Sequence, residues 1–398
     1  MRDVAIVGGG PGGLHAATLL ARRGFDVVVF EEHASSGNPV HCTGVLAADA
    51  FAEFDLPRTV ILNSLRTARF HAPSGVSISY TTDRIEAVAI DRLQLDQRLH
   101  ERARTAGATL VHSRRVEDVD VEPDAVSIRL KDGERIRART CVLACGANYA
   151  IQRRLGLGLP SIYLQSAQLE VPAGRSGDVE MYFGRDVAPN GFAWVVPVQR
   201  RDGDYVRVGL MCEEDSGAHF RRFLGRIAAS WGIHSDRDMT PRQKLLPLSP
   251  LPRTYGDRLL AVGDAGGIVK ATTGGGIYYS LLSASLGVAA LEHAFQRGLF
   301  DAATLGRYER TWRRRLGGEI RAQQRLRELA HQMTDVDIEA FFELARTDGV
   351  MPIVRETARF NQHRGLILAL LKHPPARKIL FGRLRGRAPS PVDVPQLG

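Results

Sequence analysis

The sequence predicts an α/β protein: a doubly wound domain with a parallel sheet, interrupted by an inserted antiparallel sheet domain and followed by a helical C-terminal extension. Three observations carry this. The chain opens with a short apolar strand (Asp3–Val7), a glycine turn, a helical series through Leu14, Ala17, Leu20 and Ala21, and a second apolar run, Val27–Phe30. Far downstream the apolar strand Arg258–Val262, a Gly-Asp pair and a long amphipathic stretch to about Gln296 return the chain to that first domain. Between them, from about Gly158 to Pro252, the composition shifts to aromatics and short alternating strands. The divisions expected are residues 1–157 and 255–300 for the discontinuous nucleotide-binding domain, 158–254 for the sheet-rich substrate domain and 301–398 for the basic helical extension.

Each element has its own signal. Ile90–Ala106 carries apolar residues at Leu93, Leu95, Leu99 and Ala103 and is followed by Gly107, the pattern of a capped helix. Alternation at Thr109–His112, Val116–Val121, Ala125–Leu130 and Arg135–Ala138, with Lys131-Asp132-Gly133 as a turn, predicts a small meander ending in the buried run Cys141–Cys145. Strands follow at Gln168–Val171, Val179–Phe183, Phe192–Pro197 and Tyr205–Met211, with one helix near Ala218–Trp231. The tail Ala388–Pro395 is Pro-rich and is expected to be poorly ordered.

Composition narrows the function. With 398 residues, 44% apolar and 24% charged, the chain can bury a core without staples. The net charge of +9 is diffuse and almost wholly arginine, with lysine only at 131, 244, 270, 372 and 378, so no nucleic-acid footprint is expected. Four cysteines without a Cys-x-x-Cys pair predict neither a metal site nor a disulfide frame, which suits a reducing, cytoplasmic setting. No apolar run approaches the roughly 18 residues needed to span a bilayer, and no secretion signal is visible.

The glycines Gly8, Gly10 and Gly13 are spaced for a tight turn, for backbone approach to a pyrophosphate and for close helix packing. Glu31, at the end of the second strand, is placed to accept from ribose hydroxyls and disfavours a 2′-phosphate. After the Gly-Asp pair ending at Asp264, the glycines Gly274, Gly275 and Gly276 precede a helix beginning near Ile277, where backbone N–H groups can lie against a flat ring. Phe192 and Trp194 share one face of a strand ended by Pro197, as an aromatic wall or as ordinary sheet core. Cys42 reads either as a reactive group or as a small buried apolar residue, and His41 beside it is a second candidate proton donor.

The first glycine fingerprint with the distant Gly-Asp pair resembles the FAD-binding pattern of glutathione-reductase-type flavoproteins, whose aspartate holds the flavin ribityl chain. By that resemblance the Rossmann-type domain takes FAD, and Arg92, in Asp91-Arg92-x-x-Leu95-Asp96, matches the arginine those enzymes place near the FAD phosphates; the residues alone would equally make it a helix-start ion pair. Thr273-Gly274-Gly275-Gly276-Ile277-Tyr278-Tyr279 resembles the geranylgeranyl reductases, as do the Cys-x-Gly segment at Cys42 and the Tyr-x-Trp-x-Phe-Pro-like segment Phe192–Pro197, where Phe replaces Tyr and Val replaces Phe. The resemblance extends through Tyr308–Leu329 and implies reduction of isoprenoid carbon–carbon double bonds by reduced FAD, on a small, lipid-like apolar substrate. An external donor, NAD(P)H or a small electron carrier, is then expected, because no second glycine fingerprint is present. The alternative on the same fold is a flavin monooxygenase or hydroxylase; halogenation is disfavoured because no lysine precedes Lys131. The basic stretches Arg307–Arg327 and Lys372–Arg387, the second following Leu366–Leu371, raise the expectation of weak, peripheral membrane contact.

Overall fold

The computed structural model describes residues 1–234, 239–347 and 349–381. The tail expectation, and Arg383, Arg385 and Arg387 of the membrane expectation, lie outside the described residues. The alternating side-chain direction along the continuously apolar part of the first strand, Arg2–Val7, sets the layers: Val4 and Ile6 face one core and Ala5 and Val7 the other, all at most 5% exposed. That strand lies between Arg135–Leu143 and Val27–Phe30, parallel to both, in the order Tyr255–Gly256, Leu259–Ala261, Arg135–Leu143, Arg2–Val7, Val27–Phe30, Thr109–Val111. One face is covered by helices α1 (Pro11–Ala21), α2 (Arg92–Thr105), α3 (Ile277–Arg297) and the first turns of α4 (Ala302–His331). The other is covered by the antiparallel strands Val116–Val121 and Val126–Leu130 and the short helix Ala150–Arg154.

Two sequence expectations change here. Arg135–Ala138 and Cys141–Cys145 are one strand, Arg135–Leu143, which pairs antiparallel with Val126–Leu130 at its start and then enters the parallel sheet between Arg2–Val7 and Leu259–Ala261. The change of partners makes one half alternate and the other half continuously apolar, so a single strand reads as two. The inserted antiparallel sheet is also not confined to 158–254. Its seven strands run Arg242–Pro247, Tyr163–Pro172, Gly203–Cys212, Phe192–Arg200, Val179–Tyr182, Thr67–His71, Ser77–Thr81, so a hairpin from the first domain closes the edge left by Val179–Tyr182, its strand Thr67–His71 pairing there in parallel while the other neighbours are antiparallel. Helix Ser216–Trp231 packs Phe220, Phe223, Ile227 and Trp231 on the same sheet.

The C-terminal helices Asp335–Arg346, Arg364–Lys372 and Pro374–Phe381 form a small cluster in which Ala345, Leu370 and Ala376 are buried, and Leu380 is buried as well. Part of the apolar surface that suggested a membrane contact is therefore spent on internal packing, while Leu368 stays 42% exposed. No helix among the described residues is long and apolar enough to cross a membrane.

Candidate functional site

The first turn after Arg2–Val7 depends on two glycines. Gly8 has φ +108°, and a Cβ there would lie 2.4 Å from the Ala144 carbonyl oxygen. A Cβ on Gly13 would lie 2.1 Å from the Gly8 oxygen, so α1 approaches the strand as closely as backbone allows. Glu31 accepts from the Gly9 amide (2.7 Å) and from the His33 amide (3.0 Å), with the His33 ring at 2.5 Å, which fixes its carboxylate beside the glycine turn.

These elements open on a cavity of about 1130 Å³. Gly8, Gly10, Glu31, His41, Cys42, Arg92, Asp264, Gly274, Gly276 and Ile277 line it, which brings together residues far apart in sequence. Two helices aim their N-termini at this space. Neither α1, begun at Gly10 and Pro11, nor α3, begun at Gly276, has a side-chain cap or an acid in its first turn, so the positive ends of both dipoles remain available to a ligand. The Asp264 carboxylate takes no hydrogen bond from any described residue, although its main-chain oxygen accepts from Tyr149 Oη at 2.6 Å. Gly276 makes room for it: a Cβ there would stand 2.5 Å from Asp264 Oδ1.

Cys42 sits between two clamps. Its Sγ accepts from the Gly44 amide at 3.3 Å, and the Arg92 guanidinium lies beside the thiol while also pairing with Asp96 at 3.0 Å. The buried pairing with Asp96 holds Arg92 protonated. The loop around Cys42 is tied to the inserted sheet by the buried Arg207, whose Nη1 donates to the Thr43 oxygen (2.6 Å) and the Ile90 oxygen (2.8 Å) while its Nε meets Glu170 at 2.7 Å. Thr43 Oγ1 donates to Gln168 (2.7 Å) and Arg242 to the Val40 oxygen (2.9 Å). Glu170 also binds Arg200, which reaches Asp91, the N-cap of α2, at 3.0 Å. Partial desolvation, followed by the charges of Lys244 and Arg242, lowers the His41 pKa from the ordinary histidine value, which favours the neutral imidazole.

The other expected residues lie outside the cavity lining. Gly13 is beneath the turn, and Gly275 faces the Lys270 stem. Phe192 and Trp194 do share a face, with ring centroids 5.7 Å apart, but pack in a cluster with Leu164, Met211, Leu248, Val269 and Leu246, of which Leu246 lines the cavity. Trp194 lies over Gly209, its cross-strand partner, and its indole N–H is buried without an acceptor among the described residues. Pro197 is buried in the strand, its oxygen accepting from Asn63 at 3.1 Å.

Sequence reasoning missed the strand Arg242–Pro247, which contributes Gln243, Lys244, Leu245 and Leu246 to the wall, with Leu245 53% exposed. It is a short polar edge strand ending in proline, and its weak alternation reads as loop. It also missed the basic rim formed by Arg114, Arg115 and Lys131 near Glu31 and Glu32; their positions in the meander were visible, their convergence was not.

The loop before α3 is backed by the C-terminal extension. Gly274 N donates to the Lys270 oxygen (2.8 Å) and Ala271 N to Gln323 (2.8 Å), while Thr272 Oγ1 meets His363 Nδ1 at 2.7 Å. Lys270, 3% exposed, donates to the Phe360 oxygen at 2.8 Å with its ammonium 4.2 Å over the Phe360 ring. Burial pushes this ammonium down to about 7, against the opposing pull of Asp49 and Glu319. Between pH 7 and the ordinary lysine range the unfolded chain binds a proton that the folded chain lacks, so this group makes stability rise with pH there; below pH 7 both states hold the proton and the burial cost is constant. Lys270→Met removes the cost but not the space. Its melting temperature relative to the wild type is therefore expected to be more favourable at pH 6 than at pH 9, by several degrees in the difference, and a pH-independent difference in scanning calorimetry would contradict the buried charge.

Residues 3–347 match the family described as lycopene cyclase protein. The digeranylgeranylglycerophospholipid reductase 2 of Methanothermobacter thermautotrophicus is 28% identical over 351 residues, covering 85% of this chain and 90% of that protein. The solved geranylgeranyl bacteriochlorophyll reductase-like protein of Thermoplasma acidophilum superposes with a TM-score of 0.82 at 21% identity, covering 96% of this chain and 98% of that one. A variant of the halogenase PltM in complex with FAD shares the fold at a TM-score of 0.67 and 15% identity, covering 96% and 85%. With its glycine turn, its Gly-Asp strand and this match over most of its length, the chain belongs to the lycopene cyclase protein family, and it is similar along nearly all of its length to proteins named as geranylgeranyl reductases.

Proposed function

We propose that the protein binds FAD in the cavity and reduces carbon–carbon double bonds of an isoprenoid, lipid-like substrate. The observation that carries this is the convergence of two uncapped helix N-termini and an unpaired Asp264 carboxylate on one cavity that also holds Cys42. These residues fit the cofactor. Gly8 and Gly10 admit a pyrophosphate to the α1 N-terminus, Glu31 stands where a ribose would be held, Asp264 suits the ribityl hydroxyls, and Gly274–Ile277 presents backbone N–H groups and the α3 dipole to the ring. Bound FAD, once reduced by an external donor such as NAD(P)H or a small carrier, supplies the hydride.

The remaining work falls to the protein. In this reading Cys42 delivers the proton that the second alkene carbon requires, Arg92 orients the thiol, and His41 serves as its proton relay. Leu246, clustered with Trp194 and Phe192, offers the substrate an apolar wall and keeps water from the reacting carbons.

The test is anaerobic mixing of the photoreduced protein with a polyprenyl lipid. Flavin reoxidation with a gain of two hydrogens in the product supports reduction, whereas no turnover until oxygen is admitted, with a product heavier by one oxygen, would replace it by oxygenation. Cys42→Ser is expected to slow reoxidation by substrate about 10²-fold while leaving flavin reduction nearly intact. Unchanged reoxidation would remove Cys42 from the proton path.

A further inference from the structure

The chain reverses direction between α3 and α4 at Gly298, whose φ of +65° caps α3, and this hairpin forms a groove of about 470 Å³. Its lining is basic. Arg307, Arg310 and Arg314 stand at i, i+3 and i+7 on one face of α4, opposite His293 and Arg297 from the last turn of α3. Among the described residues, none of these four arginines has a carboxylate within 4.0 Å. The contrast with the rest of the surface is informative, because neighbouring acids are present and committed elsewhere. Glu292 pairs with Arg23 at 3.1 Å, and Glu309 pairs with Arg313 at 2.9 Å and accepts from Thr254. Four guanidinium groups therefore share a concave site with nothing to neutralise them. The first-turn amides of α4 are already taken, Ala302 by Asp257 (2.6 Å) and Thr304 by Asp301 (2.8 Å), so a ligand here would be held by side chains.

We infer that this groove is an oxyanion site for a phosphate or diphosphate group, carried by a soluble metabolite or by a lipid headgroup. Planar guanidinium forks match the paired oxygens of phosphate, and a concave cluster of them selects a compact, multiply charged anion over a diffuse negative surface. The site is distinct from the cavity: sixteen residues of α3 separate Ile277 from His293, about 24 Å along the helix axis at the α-helical rise.

The experiment uses full-length protein saturated with FAD, so that the glycine turn at Gly8 is filled. Inorganic diphosphate is titrated calorimetrically at low ionic strength, and co-sedimentation is measured with phosphatidylglycerol–phosphatidylcholine vesicles and with phosphatidylcholine alone. The variant R307Q/R310Q/R314Q is compared with R2Q/R104Q/R137Q, which removes the same charge elsewhere, and both are checked for flavin content and melting temperature. Diphosphate binding weakened at least about tenfold by the groove variant only supports the site with a soluble ligand. The same dependence seen with anionic vesicles supports it with a headgroup as the source. Absence of binding to either probe, or equal weakening by both triple variants, overturns the proposal. Because the groove and the cavity share no lining residue, failure here leaves the FAD reading standing, and loss of flavin from the wild type would sink that reading without touching this one.

Discussion

Gly13→Val is expected to abolish flavin binding and to lower the melting temperature by a few degrees, as an overpacking cost of about 1–3 kcal/mol does in a chain this size. A Cβ at this position falls 2.1 Å from the Gly8 oxygen and 3.2 Å from the Ala144 Cβ. No rotamer relieves a clash that begins at Cβ. Gly8 cannot move away, because its own conformation, φ +108°, is held against Ala144. The remaining response is for α1 to withdraw from the sheet, which opens the core around Leu14, Ala17 and Leu20, all 0% exposed. Gly10→Ala provides the contrast. A Cβ there meets nothing within 4 Å and the backbone has φ −80°, so the fold survives while the added methyl projects toward the pyrophosphate position. Absorbance at 450 nm relative to 280 nm, with thermal melting, separates the two: G10A should be weakly yellow and stable, G13V colourless and unstable. A yellow G13V with wild-type melting would disprove the close-packing argument.

Asp264→Ala is expected to release flavin without unfolding, weakening FAD binding about 10- to 100-fold, as for loss of a hydrogen bond made by a charged group. The carboxylate contributes nothing visible to the apo fold, since it takes no hydrogen bond from a described side chain or amide. The turn itself is held by main-chain atoms that the substitution preserves: Gly267 N donates to the Asp264 oxygen at 2.9 Å and Tyr149 Oη to the same atom at 2.6 Å. Unchanged circular dichroism with reduced flavin occupancy at micromolar protein is the expected pair of readings. Full occupancy in the variant would reject the role of Asp264.

Local signals explain what was legible from sequence. The strand–glycine–helix–strand opening and the Gly-Asp strand are each encoded within a few residues, so the fold and the turn at Gly8–Gly13 could be read directly. The site was legible where backbone geometry demands a residue type, as at Gly8 and Gly276, and less so where tertiary contact decides. Nothing near Thr67–His71 shows that it will complete a sheet begun a hundred residues later. Likewise, Lys270 looks like an ordinary loop lysine until Phe360 is folded over it. Trp194 and Phe192 were legible as a pair on one face, but the packing of Leu246 against them depends on the strand Arg242–Pro247, whose own signal is weak.

The Arg207 clamp has a consequence for how this protein could be recombined with its relatives. Cys42 belongs in sequence to the nucleotide-binding part, yet its loop takes its position from Arg207, Gln168 and Arg242 of the inserted sheet, and the same Arg207–Glu170–Arg200 chain reaches the cap of α2 that carries Arg92. The insert is therefore a jig for the thiol as well as a wall of the cavity. Transplanting residues 158–254 from a relative that lacks this arginine–glutamate pair would give a hybrid whose Gly8 turn and Asp264 are unchanged but whose Cys42 is left without a fixed address. Donor sheets for such hybrids should be chosen by the residues at positions 170 and 207 before any comparison of their substrate walls.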